Sequence, residues 1–236
     1  MSPPESATRI ARCATDLPFK HFTDCMHAER RLPVFAVNVA DIGRPKAMPA
    51  WPGWALDQRI AEDEQPDGSI FSNDLHRGHM AACEYIYWGK TEAERKRADT
   101  HSFILTNACP QLSSFNSAGG EWWAVERAIM KALKGLHSRC NVFMGPAFRT
   151  RDLRFDALRS ERSTATRGTG IRIPTRFWKV VVWVEDGELY YRAFFLDQAD
   201  ELREAGDLEF DFETHDGVTE TTLWAIAKAT GLRFGF

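Results

Sequence analysis

Apolar positions change their spacing several times along the chain, and each change predicts an element. From Arg31 to Val39 they are nearly continuous, with Val34 and Ala36 on one face and Phe35 and Val37 on the other, so the segment reads as a strand buried on both sides. Phe103 to Leu105 is expected to form another strand, ahead of a turn at Asn107. Trp122, Val125, Ile129, Ala132 and Leu136 recur at helical spacing, with Gly135 near the end. Thr91-x-x-Glu94 has capping-box spacing and opens a charged helical stretch through Arg97. Phe177 to Val184 and Glu188 to Leu196 flank Glu185-Asp186-Gly187; Asp-Gly is a tight-hairpin signal, so the two runs are expected to pair antiparallel. Thr219 is placed to cap a last helix, with Leu223, Ile226 and Ala227 inward and Gly231 as a left-handed stop. Residues 1–16 read as a loose arm, and Gly43 to Gly53, with three prolines beside Trp51 and Trp54, as a rigid irregular loop. The order is that of an α+β domain.

Composition narrows the class without naming a function. A chain of 236 residues with 44% hydrophobic content can bury one sizeable core. No run approaches the roughly 20 apolar residues of a membrane span, so no membrane partner is expected. Met1 to Ser6 lack the basic-then-apolar order of a secretory signal, which points to a cytoplasmic protein or a delivered effector. Cys13, Cys25, Cys83, Cys109 and Cys140 are odd in number and widely spaced; reduced thiols are the expectation, with Cys109 a small buried filler. The net charge of -3 hides an uneven distribution. Arginines at 149, 151, 154, 159, 162, 167, 172 and 176 face only Asp152, Asp156 and Glu161, a candidate surface for phosphates. Acids dominate from Glu185 to Glu220, which reads as a solvated face.

Candidate chemistry concentrates at His76-Arg77-Gly78-His79, at Thr106-Asn107-Ala108-Cys109-Pro110-Gln111, and at Asn116. Histidine titrates nearest neutrality, which makes His79 a candidate general base. Mg2+ keeps most of its own waters and needs only one or two protein oxygens, so the Asn116 carbonyl suffices as a ligand. Gly78 lets the backbone approach closely. Trp122 and Glu126 lie one helical turn apart, so Glu126 can point toward a metal while the apolar stripe anchors its helix.

The pattern resembles the DNA/RNA non-specific endonucleases of the ββα-metal type, the Serratia-type and endonuclease G-like nucleases. The family's Asp-Arg-Gly-His corresponds to His76 through His79, its Thr/Ser-Asn-x-x-Pro-Gln to Thr106 through Gln111, its metal asparagine to Asn116, and its helical Trp-x-x-x-Glu to Trp122 and Glu126. Arg31-Leu32-Pro33, Gly145 to Phe148, Pro174 to Lys179 and Ala229 to Leu232 are similar to the family as well, so the resemblance spans residues 17–236, one endonuclease domain. It implies an α+β fold with an antiparallel sheet core carrying a ββα-metal catalytic motif. It further implies His79 as base, Asn116 as direct ligand of Mg2+ with Mn2+ as substitute, and Arg77, Asn107, Gln111 and Glu126 as supports for the histidine, metal waters or phosphate. The family's first motif residue, an aspartate, is His76 here, with Asp74 or Glu126 as possible stand-ins. The family arginine one turn after the glutamate is Met130, leaving Arg127 or Lys131 for the phosphate.

The activity implied is hydrolysis of DNA and RNA with little sequence preference, leaving 5'-phosphate ends. Two alternatives stand beside it: a transition-metal hydrolase using Asp74, His76 and His79, and a weakened site that only binds nucleic acid. The resemblance implies a homodimer. A non-specific nuclease inside a cell also needs restraint, by an inhibitor or by an activating partner.

Overall fold

The structure is a computed structural model that describes residues 13–41, 53–66, 68–71, 75–136, 139–154, 170–199, 202 and 218–235. Its strands and α-helices begin with β1 (Thr15–Pro18), β2 (Phe22–His27), β3 (Leu32–Ala40), β4 (Leu75–His79), α1 (Cys83–Ile86), α2 (Glu92–Ser102), β5 (Ala108–Leu112), α3 (Ser113–Asn116) and α4 (Glu121–Leu136). They continue with β6 (Cys140–Pro146), β7 (Leu153–Arg154), β8 (Arg172–Ile173), β9 (Arg176–Glu185), β10 (Glu188–Asp197), β11 (Val218–Thr221) and α5 (Leu223–Thr230).

Seven strands form one antiparallel sheet in the order β1-β2-β3-β6-β9-β10-β11. Strand alternation explains why β9 is apolar on both faces. Phe177 and Val181 enter the main core with Trp122, Val125 and Ile129 of α4, whereas Trp178, Val180 and Val182 enter a second cluster with Ile226 of α5. Lys179 shares the α4 face with Phe177 and Val181, yet it is fully buried. The β9–β10 hairpin turns through Asp186 (φ 51) and Gly187 (φ 83), two left-handed residues as a type I′ turn requires.

Several sequence-based expectations shift. The strand expected at Phe103 to Leu105 lies instead at β5, because Phe103 closes α2 and Leu105–Asn107 form a 3-10 turn. The stretch opened by Thr91 extends to Ser102, and Thr91 caps it by accepting the Glu94 N–H at 3.1 Å. Thr222, rather than Thr219, caps the last helix through the Ala225 N–H at 3.2 Å; Thr219 is spent on β11, opposite Phe195. Gly231 is left-handed (φ 74), as expected.

The arm also changes character. Its last two residues, Thr15 and Asp16, belong to β1 paired with β2, while residues 1–12 lie outside the described part. This pairing brings Cys13 to Cys25, with Cα atoms 5.4 Å apart, and the two form a disulfide. The expectation of reduced thiols fails there, because strand pairing rather than spacing juxtaposes these cysteines. Cys83, Cys109 and Cys140 are free, and Cys109 is buried, as the filler reading requires.

Candidate active site

β4 and β5 form a separate two-stranded antiparallel sheet with His76 opposite Gln111, Gly78 opposite Cys109 and His79 opposite Ala108. The chain then runs through α3 into α4, so sheet and helix enclose one site. Gly78 is required locally: a Cβ there would collide with the Gln111 side chain, which is fully buried.

His79 ends β4 against two aromatic rings. The Trp54 ring centroid lies 4.6 Å from the imidazole and that of Phe103 lies 4.9 Å away at 86°. This apolar enclosure disfavours the imidazolium and pushes the His79 pKa down to about 4. The residue as a whole is half-buried, but its Nε2 is enclosed and has no hydrogen-bond partner.

The backbone beyond His79 is clamped by Asn107. Its Oδ1 accepts the Ala81 N–H at 2.7 Å, its Nδ2 donates to Ala81 O at 3.0 Å and Ser102 O at 2.9 Å, and its own carbonyl accepts the Met80 N–H at 2.8 Å. Asn107 therefore supports the histidine from behind, with its polar side-chain groups spent on the backbone.

A polar cavity of about 120 Å³ opens in front, lined by His79, Ala82, Cys83, Glu84, Tyr85, Asn116, Trp122, Trp123, Glu126 and Arg127. His79, Asn116, Glu126 and Arg127, expected from sequence at a common site, are thus brought together. Glu126 is held by Lys179 Nζ, 2.8 Å from Oε1; burial raises the carboxyl's pKa while the Lys179 charge opposes that shift. Arg127 is exposed at the rim, with Glu84 3.6 Å away. Cys83 also lines the cavity, but burial pushes its thiol up to about 12, so no thiolate nucleophile is on offer.

Other expected residues fall elsewhere. Arg77 does not line the cavity; its guanidinium lies 5.1 Å from the Phe71 ring centroid. Gln111 is buried over Gly78, and both its amide atoms lack partners. Lys131 is exposed beyond the lining. Met130 is 7% exposed and belongs to the core, so the position of the missing arginine faces protein.

His76 sits 3.4 Å from Ser117 Oγ through Nδ1. Three positions separate it from His79, so strand alternation turns the two side chains to opposite faces of β4. They do not converge on one ion, which corrects the transition-metal alternative; Asp74 lies outside the described residues. Among the described residues the one group of three or more His, Cys, Asp or Glu side chains gathered as closely as an ion requires is Cys13, Asp16 and Cys25, away from this cavity and with both cysteines spent in the disulfide.

The donors at the cavity nonetheless suit Mg2+. Asn116 and Glu126 offer hard oxygen atoms, and the space leaves room for the waters that Mg2+ retains. A larger groove of about 310 Å³ between α4 and β9–β10 is lined by Val125, Ile129, Val181, Trp183 and Phe194, with Arg192 its one charged residue, and holds no comparable donor set.

This arrangement has relatives. The family model for the DNA/RNA non-specific endonucleases matches residues 9–235. The chain belongs to this family. Its fold is similar to that of a chain in the crystal structure of the EndoG/EndoGI complex, with a TM-score of 0.69 at 15% identity, over 99% of this chain and 92% of that one. It is also 25% identical, over 207 residues, to the uncharacterized protein y4fB of Sinorhizobium fredii (strain NBRC 101917 / NGR234). That match takes in 83% of this chain and spans 29% of the relative's length.

In this endonuclease-family chain two residues touch the cavity's side chains without having been assigned from sequence, Lys179 against Glu126 and Trp54 against His79. Lys179 appeared only as part of a family-like segment, since nothing in a strand's spacing reveals a cation beneath a helix. Trp54 read as a loop anchor, although it packs on His79.

The basic segment is also less available than its composition suggests. Arg176 pairs with Asp197 at 2.8 Å, Arg149 approaches the same carboxylate at 4.0 Å, and Arg172 donates to Asp152 O at 2.8 Å. Residues 155–169 of that segment lie outside the described part, as do residues 200–201 and 203–217 of the acidic stretch.

Proposed function

We propose that this chain is a divalent-metal-dependent endonuclease that hydrolyses phosphodiester bonds of DNA and RNA with little sequence preference. The observation that carries this reading is the convergence of His79, Asn116, Glu126 and Arg127 on one polar cavity. His79 acts as general base, because burial keeps its imidazole neutral and able to take a proton from water at neutral pH. With Nε2 enclosed, Nδ1 is the nitrogen assigned to accept that proton. Asn116 holds Mg2+, or Mn2+ in its place, through its side-chain carbonyl. A bound divalent ion supplies charge neutralisation at the phosphate and at the leaving oxygen.

Glu126 orients water within the cavity, and Asn107 fixes the backbone that carries His79. Arg127 contacts the phosphate at the rim, and Lys131, further along α4, a more distant phosphate. Arg77 and Gln111 act as supports of the β4–β5 unit. His76 stands where an anionic acceptor is expected, which lowers the negative charge available to a metal. Contacts of this kind address the backbone rather than base edges, which supports weak sequence preference.

We further assign residues 17–236 to the endonuclease domain. A nuclease of this kind needs restraint, and an inhibitor protein is the partner class favoured, since the EndoG structure of similar fold is a complex with EndoGI. A homodimer remains part of the reading on family resemblance.

The test is incubation of the purified chain and its His79→Ala form with plasmid DNA and single-stranded RNA, in Mg2+, in Mn2+ and in chelator. Metal-dependent degradation by wild type, lost in the variant, is the expected result; intact substrates in every metal overturn the reading.

A further inference from the structure

The least expected group near the site is a cation inside the sheet. Lys179 projects from β9 toward α4, is 0% exposed, and places Nζ 2.8 Å from Glu126 Oε1. Its ammonium also lies 3.6 Å from the Trp122 ring centroid and 5.9 Å from that of Tyr85. A lysine loses several charge-solvating waters on such burial, so it is tolerated only where a carboxylate and ring faces replace them. Its position is fixed from both sides, because Lys179 pairs with Met144 and Phe194 in the backbone ladder of the large sheet.

We infer that Lys179 is a positioning residue for the metal site, acting through Glu126. Lys179 tethers the Glu126 carboxylate, and the glutamate side chain keeps 20% exposure, at the cavity. A free glutamate samples several rotamers; this one is pinned between the rigid sheet and α4, so its outward oxygen presents one direction to water. Lys179 thereby transmits the rigidity of the seven-stranded sheet to a site built on β4, β5 and α3. The ammonium also offsets the Glu126 charge, and Arg127 offsets Glu84, so the cavity has little net negative charge and geometry carries more of its ion selectivity.

The inference rests on the nuclease reading for its activity arm and stands apart from it in its binding arm. The experiment compares the full chain with Lys179→Met, Lys179→Arg, Glu126→Gln and Lys179→Met/Glu126→Gln. Mg2+ binding is measured by calorimetry and by the Mg2+-induced shift in melting temperature, and DNA cleavage over a Mg2+ titration. Lys179→Met is expected to weaken Mg2+ binding by about 10-fold, the usual scale for an outer-shell partner, and to raise half-saturating Mg2+ in parallel while KM for DNA stays near wild type. Lys179→Arg, which keeps the charge and guards against loss of folding, is expected to retain part of the binding. Within the Glu126→Gln background the lysine change is expected to add nothing to the loss of Mg2+ affinity.

Wild-type Mg2+ affinity in folded Lys179→Met or Lys179→Arg, or an additive effect in the double variant, overturns the inference. If wild type binds Mg2+ but cleaves nothing, the nuclease reading fails and calorimetry still decides the role of Lys179. If wild type binds neither Mg2+ nor Mn2+, both fall.

Discussion

Asn107 grips Ala81 by both of its backbone groups, accepting its N–H at 2.7 Å and donating to its carbonyl at 3.0 Å. A third bond, to Ser102 O at 2.9 Å, ties the same amide to the end of α2. The segment that follows His79 is thereby fixed from a neighbouring turn.

Asn107→Ala leaves these buried groups unpaired, at about 1–3 kcal/mol for each. A loss of at least about 2 kcal/mol is expected, seen as a fall of about 4 °C or more in the melting temperature. Asn107→Asp keeps the acceptor but loses both donor bonds and buries a charge, so it is expected to be no better tolerated. A melting temperature unchanged in both variants would remove Asn107 from its place behind His79.

His79 makes stability depend on acid. Its pKa is near 6.5 when unfolded and about 4 when folded, so between these values the unfolded chain binds more protons. The stabilisation from keeping this imidazole neutral is therefore complete above about pH 6.5 and is lost as the pH falls toward 4. Urea titrations at pH 7 and pH 5 are expected to show a smaller pH difference for His79→Ala than for wild type. In cleavage assays the same substitution is expected to cost at least about 100-fold in rate, with the fold retained by circular dichroism.

Gly78→Ala forces a methyl group into the space filled by Gln111, whose side chain is fully buried and has nowhere open to swing. Overpacking of this kind costs about 1–3 kcal/mol. Chemical denaturation should record that loss, together with its partial relief in Gly78→Ala/Gln111→Ala. If the double variant is less stable than the sum of the single changes predicts, the collision is not the cause.

The disulfide between Cys13 and Cys25 closes a short loop at the edge of the large sheet. A loop of this size contributes about 3 kcal/mol by restricting the unfolded chain. Cys13→Ser, or wild type in dithiothreitol, should unfold at correspondingly lower denaturant, while dithiothreitol should leave Cys13→Ser unchanged.

Substitutions at Arg127 and Met130 test the proposed phosphate contact apart from packing. Arg127→Ala removes an exposed rim cation and is expected to raise KM for DNA and to flatten its dependence on salt, with little change in melting temperature. Met130→Arg, which restores the family's residue type, is expected to destabilise the protein by several kcal/mol, because it places a charge in the main core. A folded and more active Met130→Arg would show that this position opens onto the cavity.

Local signals were the legible ones. The α4 stripe, the Asp186-Gly187 turn, the Gly231 stop and the alternation of β3 were readable because each is set within a few residues. The strand expected at Phe103 to Leu105 lies at Ala108–Leu112 instead, because a helix end and a 3-10 turn interrupt an apolar run that has no period of its own. Thr222 and Thr219 are equally good caps in sequence, and only the pairing of β11 with β10 decides between them.

The sequence by itself determined the family, through motif residues at fixed spacings: the histidine at 79, the asparagine at 116, the carboxylate at Glu126 and a glycine where Gln111 passes. It also determined an α+β order, since helical and strand periods are properties of neighbouring residues. Tertiary structure decided what surrounds those groups. It set Trp54 and Phe103 against His79, turned His76 to the opposite face, sank Met130 into the core, joined Cys13 to Cys25 and brought Lys179 beneath Glu126. These relationships link residues distant in the chain, and they arise only when strands pair and α4 packs on the sheet; no local period encodes them.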